Sequence, residues 1–275
     1  MVDSGEGRIG GVADLGENLH AVRARIAAAA HEAGRDPGSV ALVAVSKTWP
    51  SADVRELAGL GQLDFGENRA QELVGKAAEL VDLPLRWHFV GQLQRNKAAA
   101  VARLGAMVHT VDRASLARVL DRAAQEGMGR EGMGREGRPI EVLLQVDLGG
   151  QPGGAAARGG APPADVPALA DLVAGAAGLR LRGLMAVAPR GEDPRPAFDR
   201  LAALAARVRA DHPEAVDLSA GMSADLEAAV AAGSTIVRVG TGLFGDRPLP
   251  CDGDQNSPAT RVTRVTRPPA ASAGP

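Results

Sequence analysis

The stretch Val40-Ala41-Leu42-Val43-Ala44-Val45-Ser46-Lys47 (residues 40–47) decides the fold. Its first six residues are apolar, without the polar alternation of a strand that faces water on one side. A strand that is apolar on both faces belongs to a parallel sheet that is covered by helices. The run then ends in a serine and a lysine, and an ammonium group at the end of a buried strand requires an explanation.

The same pattern of apolar run and helix recurs along the chain. Further strands are predicted at 62–65, 85–90, 106–110, 139–147, 180–187, 215–218 and 235–239. Helices are predicted at 14–33, 51–60, 68–81, 95–103, 113–126, 164–177, 194–211 and 223–232. Eight strand–helix units in roughly 200 residues favour a closed (β/α)8 TIM barrel over an open doubly wound sheet, since the eighth strand can pair with the first. The helix over 14–33 is an addition to this barrel.

The chain is expected to form one domain, because 275 residues with 45% hydrophobic content can bury one large core. We assign residues 12–248 to the barrel, 1–11 to a flexible N-terminus and 249–275 to a disordered tail. The tandem EGMGREGMGR is rich in glycine, which predicts a mobile, non-helical loop over 126–138. A second long loop, rich in Gly, Ala and Pro, is predicted over 149–163.

Composition excludes several classes of partner and site. The net charge of -2 provides no basic face for nucleic acid. The only cysteine, Cys251, cannot form an internal disulfide or a thiolate zinc site, and this favours a reducing compartment. The first residues lack the apolar core of a signal peptide, and no stretch approaches the ~20 apolar residues of a membrane span. We expect a cytoplasmic protein that binds neither nucleic acid nor membrane.

The predicted barrel explains where Lys47 stands. Barrel enzymes place their chemistry at the carboxyl ends of the strands, and Lys47 lies at that end of the first strand. A solvated charge at a strand end is the ordinary alternative. Position alone leaves both interpretations open.

A second candidate feature is the stretch TIVRVGTG (235–242), a β-branched strand that runs into a Gly-Thr-Gly turn. Backbone N–H groups of such a turn can converge on an anion, and loops after strands 7 and 8 bind phosphate in many barrels. Just before it, Ser219 ends a strand and Ser223 is the predicted N-cap of the next helix. The alternatives are an ordinary turn and an ordinary capped helix, but together these groups suit a phosphate monoester.

Barrel closure joins the two features. Lys47 and Arg238 are 191 residues apart in the sequence, yet strands 1 and 8 are neighbours in a closed barrel. An amine therefore faces a phosphate site, and a partly desolvated lysine can condense with an aldehyde. This suggests a Schiff base with a phosphorylated carbonyl compound. Pyridoxal phosphate (PLP) is the first candidate, and the substrate of a sugar-phosphate aldolase is the rival.

Six stretches, in order, carry a resemblance to a known family. They are LVAVSKTWP (42–50), FGENRAQE (65–72), WHFVGQLQRNK (87–97), VHTVDR (108–113), LRGLMAVAP (181–189) and LSAGMSADLEAAVAAGSTIVRVGTGLFG (218–245). The chain resembles the pyridoxal phosphate homeostasis proteins, of the proline synthetase co-transcribed type, whose fold is like the N-terminal barrel of alanine racemase. The chain departs from the family pattern at Ala220, at Gln92 and in its expanded strand-5 loop.

The resemblance implies PLP as cofactor and assigns roles to residues that match the family's motifs. Lys47 corresponds to the lysine that forms the Schiff base. Arg238 corresponds to the arginine that faces the pyridine nitrogen. The implied phosphate ligands are Ser219, Gly240 and Thr241, joined by Ser223 and Gly242. Asn68 and His88 are implied to line the pocket; the alternatives are that Asn68, with Gln71, caps a helix and that His88 is a hydrogen-bonded core histidine.

The resemblance, together with composition, argues against dedicated catalysis. An arginine beside the pyridine nitrogen disfavours its protonation and weakens the ring as an electron sink. The chain has no tyrosine, whereas the racemase relatives use one, from an additional C-terminal domain, as a base. We expect a monomeric carrier or regulator in vitamin B6 and amino-acid homeostasis that contacts PLP-dependent enzymes transiently. A PLP-dependent racemase or lyase is the first alternative, and a Schiff-base aldolase is the second.

Overall fold

The computed structural model describes residues 14–128, 138–149 and 159–245. Eight parallel strands form a closed barrel, and they follow one another round it in chain order. They are β1 (Ala41–Val45), β2 (Asp64–Glu67), β3 (Arg86–Phe89), β4 (Met107–Val111), β5 (Ile140–Gln145), β6 (Leu179–Met185), β7 (Asp217–Ser219) and β8 (Ile236–Val239). The predicted (β/α)8 TIM barrel is therefore confirmed.

Helices separate the strands. They are α1 (Leu15–Glu32), α2 (Ser51–Gly59), α3 (Ala70–Glu79), α4 (Arg95–Arg103), α5 (Ala114–Met128), α6 (Val166–Ala174), α7 (Arg195–Asp211), α8 (Leu226–Ala231) and α9 (Thr241–Phe244). No helix among the described residues is both long and apolar enough to cross a membrane.

The barrel closes through the pairing of its first and last strands. Ala41 pairs with Ile236, and the register continues residue by residue until Ala44 pairs with Val239. On its other side β1 pairs with β2, where Ala44 lies opposite Phe65. Strand β1 thus has a neighbouring strand on each side, as a buried strand requires.

Side chains alternate between two apolar layers. Inward-facing residues of five strands form a small interior cluster, which comprises Val43, Met107, Leu143, Met185 and Ile236. Outward-facing residues such as Leu42, Ala44 and Phe65 pack instead against Leu19 of α1 and Leu57 of α2. This two-sided burial explains why the strands are continuously apolar in the sequence.

Helix α1 forms as predicted. Asp14 is its N-cap and accepts a hydrogen bond from the Glu17 backbone N–H at 3.0 Å. Its buried residues recur at helical spacing, at Leu15, Leu19, Val22 and Ile26. The helix packs against α8 and α9, and Asn18 Nδ2 donates to the Leu243 carbonyl at 2.9 Å.

The structure differs from the local predictions at several points. Strand β2 begins at Asp64 rather than at residue 62, because the buried Gln62 side chain donates to the carbonyls of Leu42 and Asp64. The glycine-rich tandem was expected to exclude a helix, but α5 continues through Met128. In the loop expected over 149–163, Ala161 is buried and pairs with Val146 as an isolated parallel bridge.

Several expectations lie outside the described residues. They concern the N-terminus over 1–11, the barrel limits at 12 and 248, the segments 129–137 and 150–158 of the two loops, and the tail over 249–275 with Cys251. The described residues all fall within one compact unit, Met1–Gly245.

The interior cluster predicts a large cost for a cavity. Leu143 is fully buried inside the barrel, so Leu143→Ala is expected to lower the free energy of unfolding by about 2–5 kcal/mol. Val81 is 83% exposed, and Val81→Ala should change it by less than ~0.5 kcal/mol. Urea denaturation measures both values, and similar values for the two variants would contradict the assigned interior.

Candidate functional site

The rim at the carboxyl ends of β1 and β8 brings the two candidate features together. Lys47 follows β1 by two residues, and Gly240–Gly242 directly follows β8. The ends of the two strands are in contact, since a Cβ built on Gly240 would stand 3.3 Å from the Val45 carbonyl oxygen. The Lys47 residue itself is exposed. The structure thus places residue Lys47 and the glycine turn on the same rim.

The turn after β8 forms a narrow polar recess with Ser223. Ser223 Oγ accepts hydrogen bonds from the Gly242 backbone N–H and from Thr241 Oγ1, each at 3.1 Å. A Cβ on Gly242 would approach Val239 Cγ1 to 3.0 Å and Ser223 Oγ to 3.4 Å, so a larger residue would fill the recess. Hydroxyl groups and a backbone without side chains are what an anion such as phosphate needs.

Ser223 reaches this recess because it is not the N-cap of α8. The helix begins at Leu226, and its N-cap is Asp225, whose Oδ1 accepts from the Met222 backbone N–H at 2.6 Å. The prediction that Ser223 caps a helix over 223–232 is therefore wrong. The Ser223 hydroxyl is instead available to the turn.

Arg238 lies below the rim, in the barrel interior, and is only 4% exposed. Its Nη1 donates to Ser219 Oγ at 2.5 Å, and its Nη2 donates to the Ala186 carbonyl at 3.0 Å. Burial lowers the pKa of Arg238 to about 10, although the charge of Asp225 acts in the opposite direction. The guanidinium therefore stays protonated at neutral pH and presents a buried cation beneath the rim.

Ser219 belongs with Arg238 rather than with the turn. It is fully buried, and its Oγ lies 3.0 Å from His109 Nδ1 in addition to its contact with Arg238. These two contacts occupy the hydroxyl that the resemblance assigned to phosphate. Ser219 thus takes part in the hydrogen bonding of Arg238, and its role as a phosphate ligand stays a prediction.

His88 and Asn68 lie in different places. His88 is buried inside the barrel, with Nε2 3.1 Å from Asp64 Oδ1 and Nδ1 2.9 Å from His109 Nε2, and is thus a hydrogen-bonded core histidine. Asn68 is exposed on the rim, one residue beyond β2. It does not cap α3, since the N-cap is Arg69 and no side-chain cap bond forms there.

The turn that carries Lys47 is held from below by a buried ion pair. Lys76 on α3 donates to the Ser46 carbonyl at 2.6 Å and to Glu67 Oε1 at 2.5 Å. The Ser46 hydroxyl donates to the same Glu67 oxygen at 2.7 Å. Burial raises the pKa of Glu67, although the hydrogen bonds from Lys76 and Ser46 act in the opposite direction. The backbone on the amino side of Lys47 is therefore fixed to β2 and α3.

The residue after Lys47 has an unusual backbone conformation. Thr48 has a φ of 68°, in the left-handed region that a β-branched residue rarely adopts. Its backbone N–H donates to Glu72 Oε2 of α3 at 2.8 Å. Strained residues persist where surrounding contacts hold them, and here the contact comes from the same helix.

Sequence reasoning did not find Glu67, Lys76, Glu72, Asp64 or His109. One signal was present, since Lys76 follows Ala70 and Leu73 at helical spacing on the buried face of α3. A lysine at an apolar position indicates a buried partner.

The buried ion pair predicts strong coupling between Lys76 and Glu67. Their side chains are 9% and 0% exposed, so Lys76→Met leaves Glu67 without its cation and should destabilise the protein by about 3–5 kcal/mol. Adding Glu67→Gln should restore most of that loss. Lys97→Met on α4 is the matched control, with a change below ~0.5 kcal/mol. Strictly additive effects in chemical denaturation would contradict the coupling.

Comparisons with known proteins agree with the barrel fold. Residues 17–248 match the family "Alanine racemase, N-terminal domain". The pyridoxal phosphate homeostasis protein of Pseudomonas aeruginosa is 46% identical over 239 residues, which are 85% of this chain and 96% of the relative. Its counterpart in Mycobacterium tuberculosis (strain H37Rv) is 42% identical over 249 residues, 86% of this chain and 94% of that one.

A solved structure is also similar. PipY of Synechococcus elongatus PCC7942, with PLP bound, superposes with a TM-score of 0.70 at 38% identity, covering 84% of this chain and 100% of PipY. The match extends over most of both chains, as it does for the curated relatives. The chain therefore belongs to the pyridoxal phosphate homeostasis protein family, whose barrel is the N-terminal domain type of alanine racemase.

Proposed function

We propose that this chain binds PLP at the carboxyl rim of its barrel and acts in vitamin B6 and amino-acid homeostasis as a carrier or regulator of the cofactor. The observation that carries the proposal is the pairing of β1 with β8, which puts Lys47 and the Gly240–Gly242 turn on one rim. PLP combines an aldehyde with a phosphate monoester, and these are the groups that an amine and an anion recess receive. Support also comes from PipY, whose solved structure has PLP bound.

The residues present fit each part of the cofactor. The phosphate would lie against Gly240, Thr241 and Ser223, where a side chain on Gly240 or Gly242 would take up the space. Lys47 would supply the amine that bonds covalently to the aldehyde as a Schiff base. Arg238 would face the pyridine nitrogen from below, and Asn68 would line the pocket from the end of β2.

When bound, PLP supplies a reactive aldehyde and a ring that withdraws electrons to a degree set by protonation of its nitrogen. A fixed guanidinium next to that nitrogen disfavours the protonated form. Arg238 remains protonated at neutral pH and is held by Ser219 and Ala186. It therefore cannot stabilise a protonated ring nitrogen as a carboxylate would. This supports storage or delivery of the cofactor rather than dedicated turnover.

The proposal also covers the cellular compartment, the oligomeric state and the partners of the protein. We place the protein in the cytoplasm as a monomer that contacts PLP-dependent enzymes transiently. The open position of Lys47 supports exchange, because an exposed amine can be reached by solvent and by a recipient. The main alternative, a PLP-dependent racemase or lyase, requires release of the α-proton of an amino acid.

The role of Lys47 is tested by optical titration with PLP. Wild-type protein is expected to develop a visible band, Lys47→Ala is expected to lose it, and the matched variant Lys97→Ala is expected to keep it. Borohydride reduction followed by peptide mass spectrometry should find the cofactor on Lys47. A band that persists in Lys47→Ala, or a label on Lys76 or Lys97, would contradict the assignment.

The same samples separate the alternatives. Exchange of the amino-acid α-proton for deuterium, with turnover, would support the racemase or lyase. Trapping of a sugar phosphate instead of PLP on Lys47 would support the aldolase.

The recess around Ser223 predicts a phosphate-specific effect. Ser223→Ala removes the hydroxyl that would donate to the phosphate and that positions the Gly242 N–H, so the Kd for PLP should rise about tenfold, equivalent to ~1.4 kcal/mol. The Kd for pyridoxal, which lacks the phosphate, should not change. Ser39→Ala, on the opposite rim before β1, is the control. Equal losses for PLP and pyridoxal would show that Ser223 does not act through the phosphate.

A further inference from the structure

A continuous hydrogen-bonded chain crosses the interior of the barrel. Asp64 Oδ1 lies 3.1 Å from His88 Nε2, and His88 Nδ1 lies 2.9 Å from His109 Nε2. His109 Nδ1 lies 3.0 Å from Ser219 Oγ, which accepts from Arg238 Nη1 at 2.5 Å. Five strands contribute one residue each, so the chain spans the barrel from β2 to β8.

Because these side chains are buried, the loss of any one hydrogen bond in the chain would be destabilising. His109 and Ser219 are fully buried, and His88 and Arg238 are buried as well. Barrel interiors are normally filled by branched apolar side chains, and a buried polar group without a partner costs about 1–3 kcal/mol. Each ring nitrogen here has a partner at hydrogen-bonding distance.

The two ends of the chain carry opposite charges. Asp64 is the anion: burial raises its pKa, but hydrogen bonds from His88 and Arg86 outweigh burial and lower it to about 2. Arg238 is the cation, and among the described residues its guanidinium contacts neutral oxygens, those of Ser219 and Ala186. Its positive charge is therefore oriented by dipoles and not by a carboxylate.

These charges determine where the hydrogens stand. Because Asp64 only accepts, His88 Nε2 must carry a hydrogen. A neutral His88 then accepts at Nδ1, which places a hydrogen on His109 Nε2. His109 in turn accepts at Nδ1 from the Ser219 hydroxyl, and the Ser219 oxygen accepts from Arg238. Every hydrogen points from Arg238 toward Asp64.

If the hydrogen bond between the two rings ran the other way, His88 would carry hydrogen on both ring nitrogens and would be a cation. Asp64 already pairs with Arg86, so it does not need His88 as a counter-ion. Burial holds the pKa of His109 well below its usual range, and a charge on His88, if present, would act in the same direction as the charge of Arg238. A second cation beside this ring and Arg238 is thus disfavoured, and the neutral arrangement is self-consistent.

We propose that Asp64, His88, His109 and Ser219 act as positioning residues that hold the Arg238 guanidinium in one orientation through this directed chain of hydrogen bonds. The inference rests on the proposed function, in which Arg238 faces the cofactor ring. His88 then acts on the cofactor through Arg238, and His109 is an essential link between them. The orientation of the charge that faces the ring is then fixed by groups that reach back to Asp64, the first residue of β2.

The hydrogen placement is tested on the cofactor-free wild-type protein. Long-range proton–nitrogen correlation spectra of protein labelled with nitrogen-15 histidine distinguish the tautomers of its five histidines. At roughly pH 8, the directed chain predicts hydrogen on Nε2 and none on Nδ1 for both His88 and His109. Hydrogen on Nδ1 of either ring, or on both nitrogens, would overturn the proposal.

The effect on the cofactor is tested with His109→Phe, which keeps an aromatic ring but no hydrogen bond. Its Kd for PLP should rise about tenfold, and the visible band of the bound cofactor should shift, while the Kd of inorganic phosphate stays unchanged. Met107→Leu, two residues earlier on β4 and also inward-facing, is the control and should leave the Kd and the band as in wild type.

Each outcome decides one point. If His109→Phe only destabilises the fold and leaves the Kd and the band as in Met107→Leu, the positioning role is overturned. If His109→Phe does not fold, the wild-type tautomers decide the proposal. If wild-type protein gives no band with PLP, the proposed function fails, whereas the tautomers still report whether the chain of hydrogen bonds exists.

Discussion

Backbone pairing between β1 and β8 is the constraint on which the rest of the structure depends. Four consecutive residue pairs, from Ala41 with Ile236 to Ala44 with Val239, join strands that lie at opposite ends of the folded sequence. This pairing removes both open edges of the sheet. It also makes the end of one strand the neighbour of the end of the other, so Lys47 and the Gly240–Gly242 turn share a rim. The pairing that closes the barrel therefore also brings the two parts of the candidate site together.

Much of this architecture was predictable because it depends on burial. A strand covered on both faces is apolar at every position, and Val40–Val45 shows this without knowledge of any partner. Eight such runs separated by helices leave few arrangements besides a closed barrel. The limits of β2 were predicted less well because the Gln62 side chain takes hydrogen-bonding positions that a backbone strand would use. Helix α9 has only four residues, too few to give a periodic signal.

The candidate site was predictable only where adjacent residues form it. The Gly-Thr-Gly turn is local, and it could be found as a stretch of sequence. Contacts such as Lys76 with Glu67 or His88 with His109 join residues from different elements, and they follow from strand register and helix placement. Nothing in one sequence says that the His109 ring turns inward to meet Ser219. Ser223 was misassigned for a related reason, since a serine before a helix suits a cap as well as it suits a turn.

The left-handed conformation of Thr48 links the backbone after Lys47 to helix α3, through the hydrogen bond from the Thr48 N–H to Glu72. A β-branched residue in that region is strained, and two contacts hold it: Glu72 accepts from its backbone N–H, and the Trp49 N–H donates to the Ser46 carbonyl across the turn. Fraying of α3 would remove the Glu72 contact and loosen the peptide that follows Lys47, while the barrel strands remain paired. A ligand bound through Lys47, as proposed, would then be lost before global unfolding, and its occupancy would report the integrity of one helix rather than that of the whole protein.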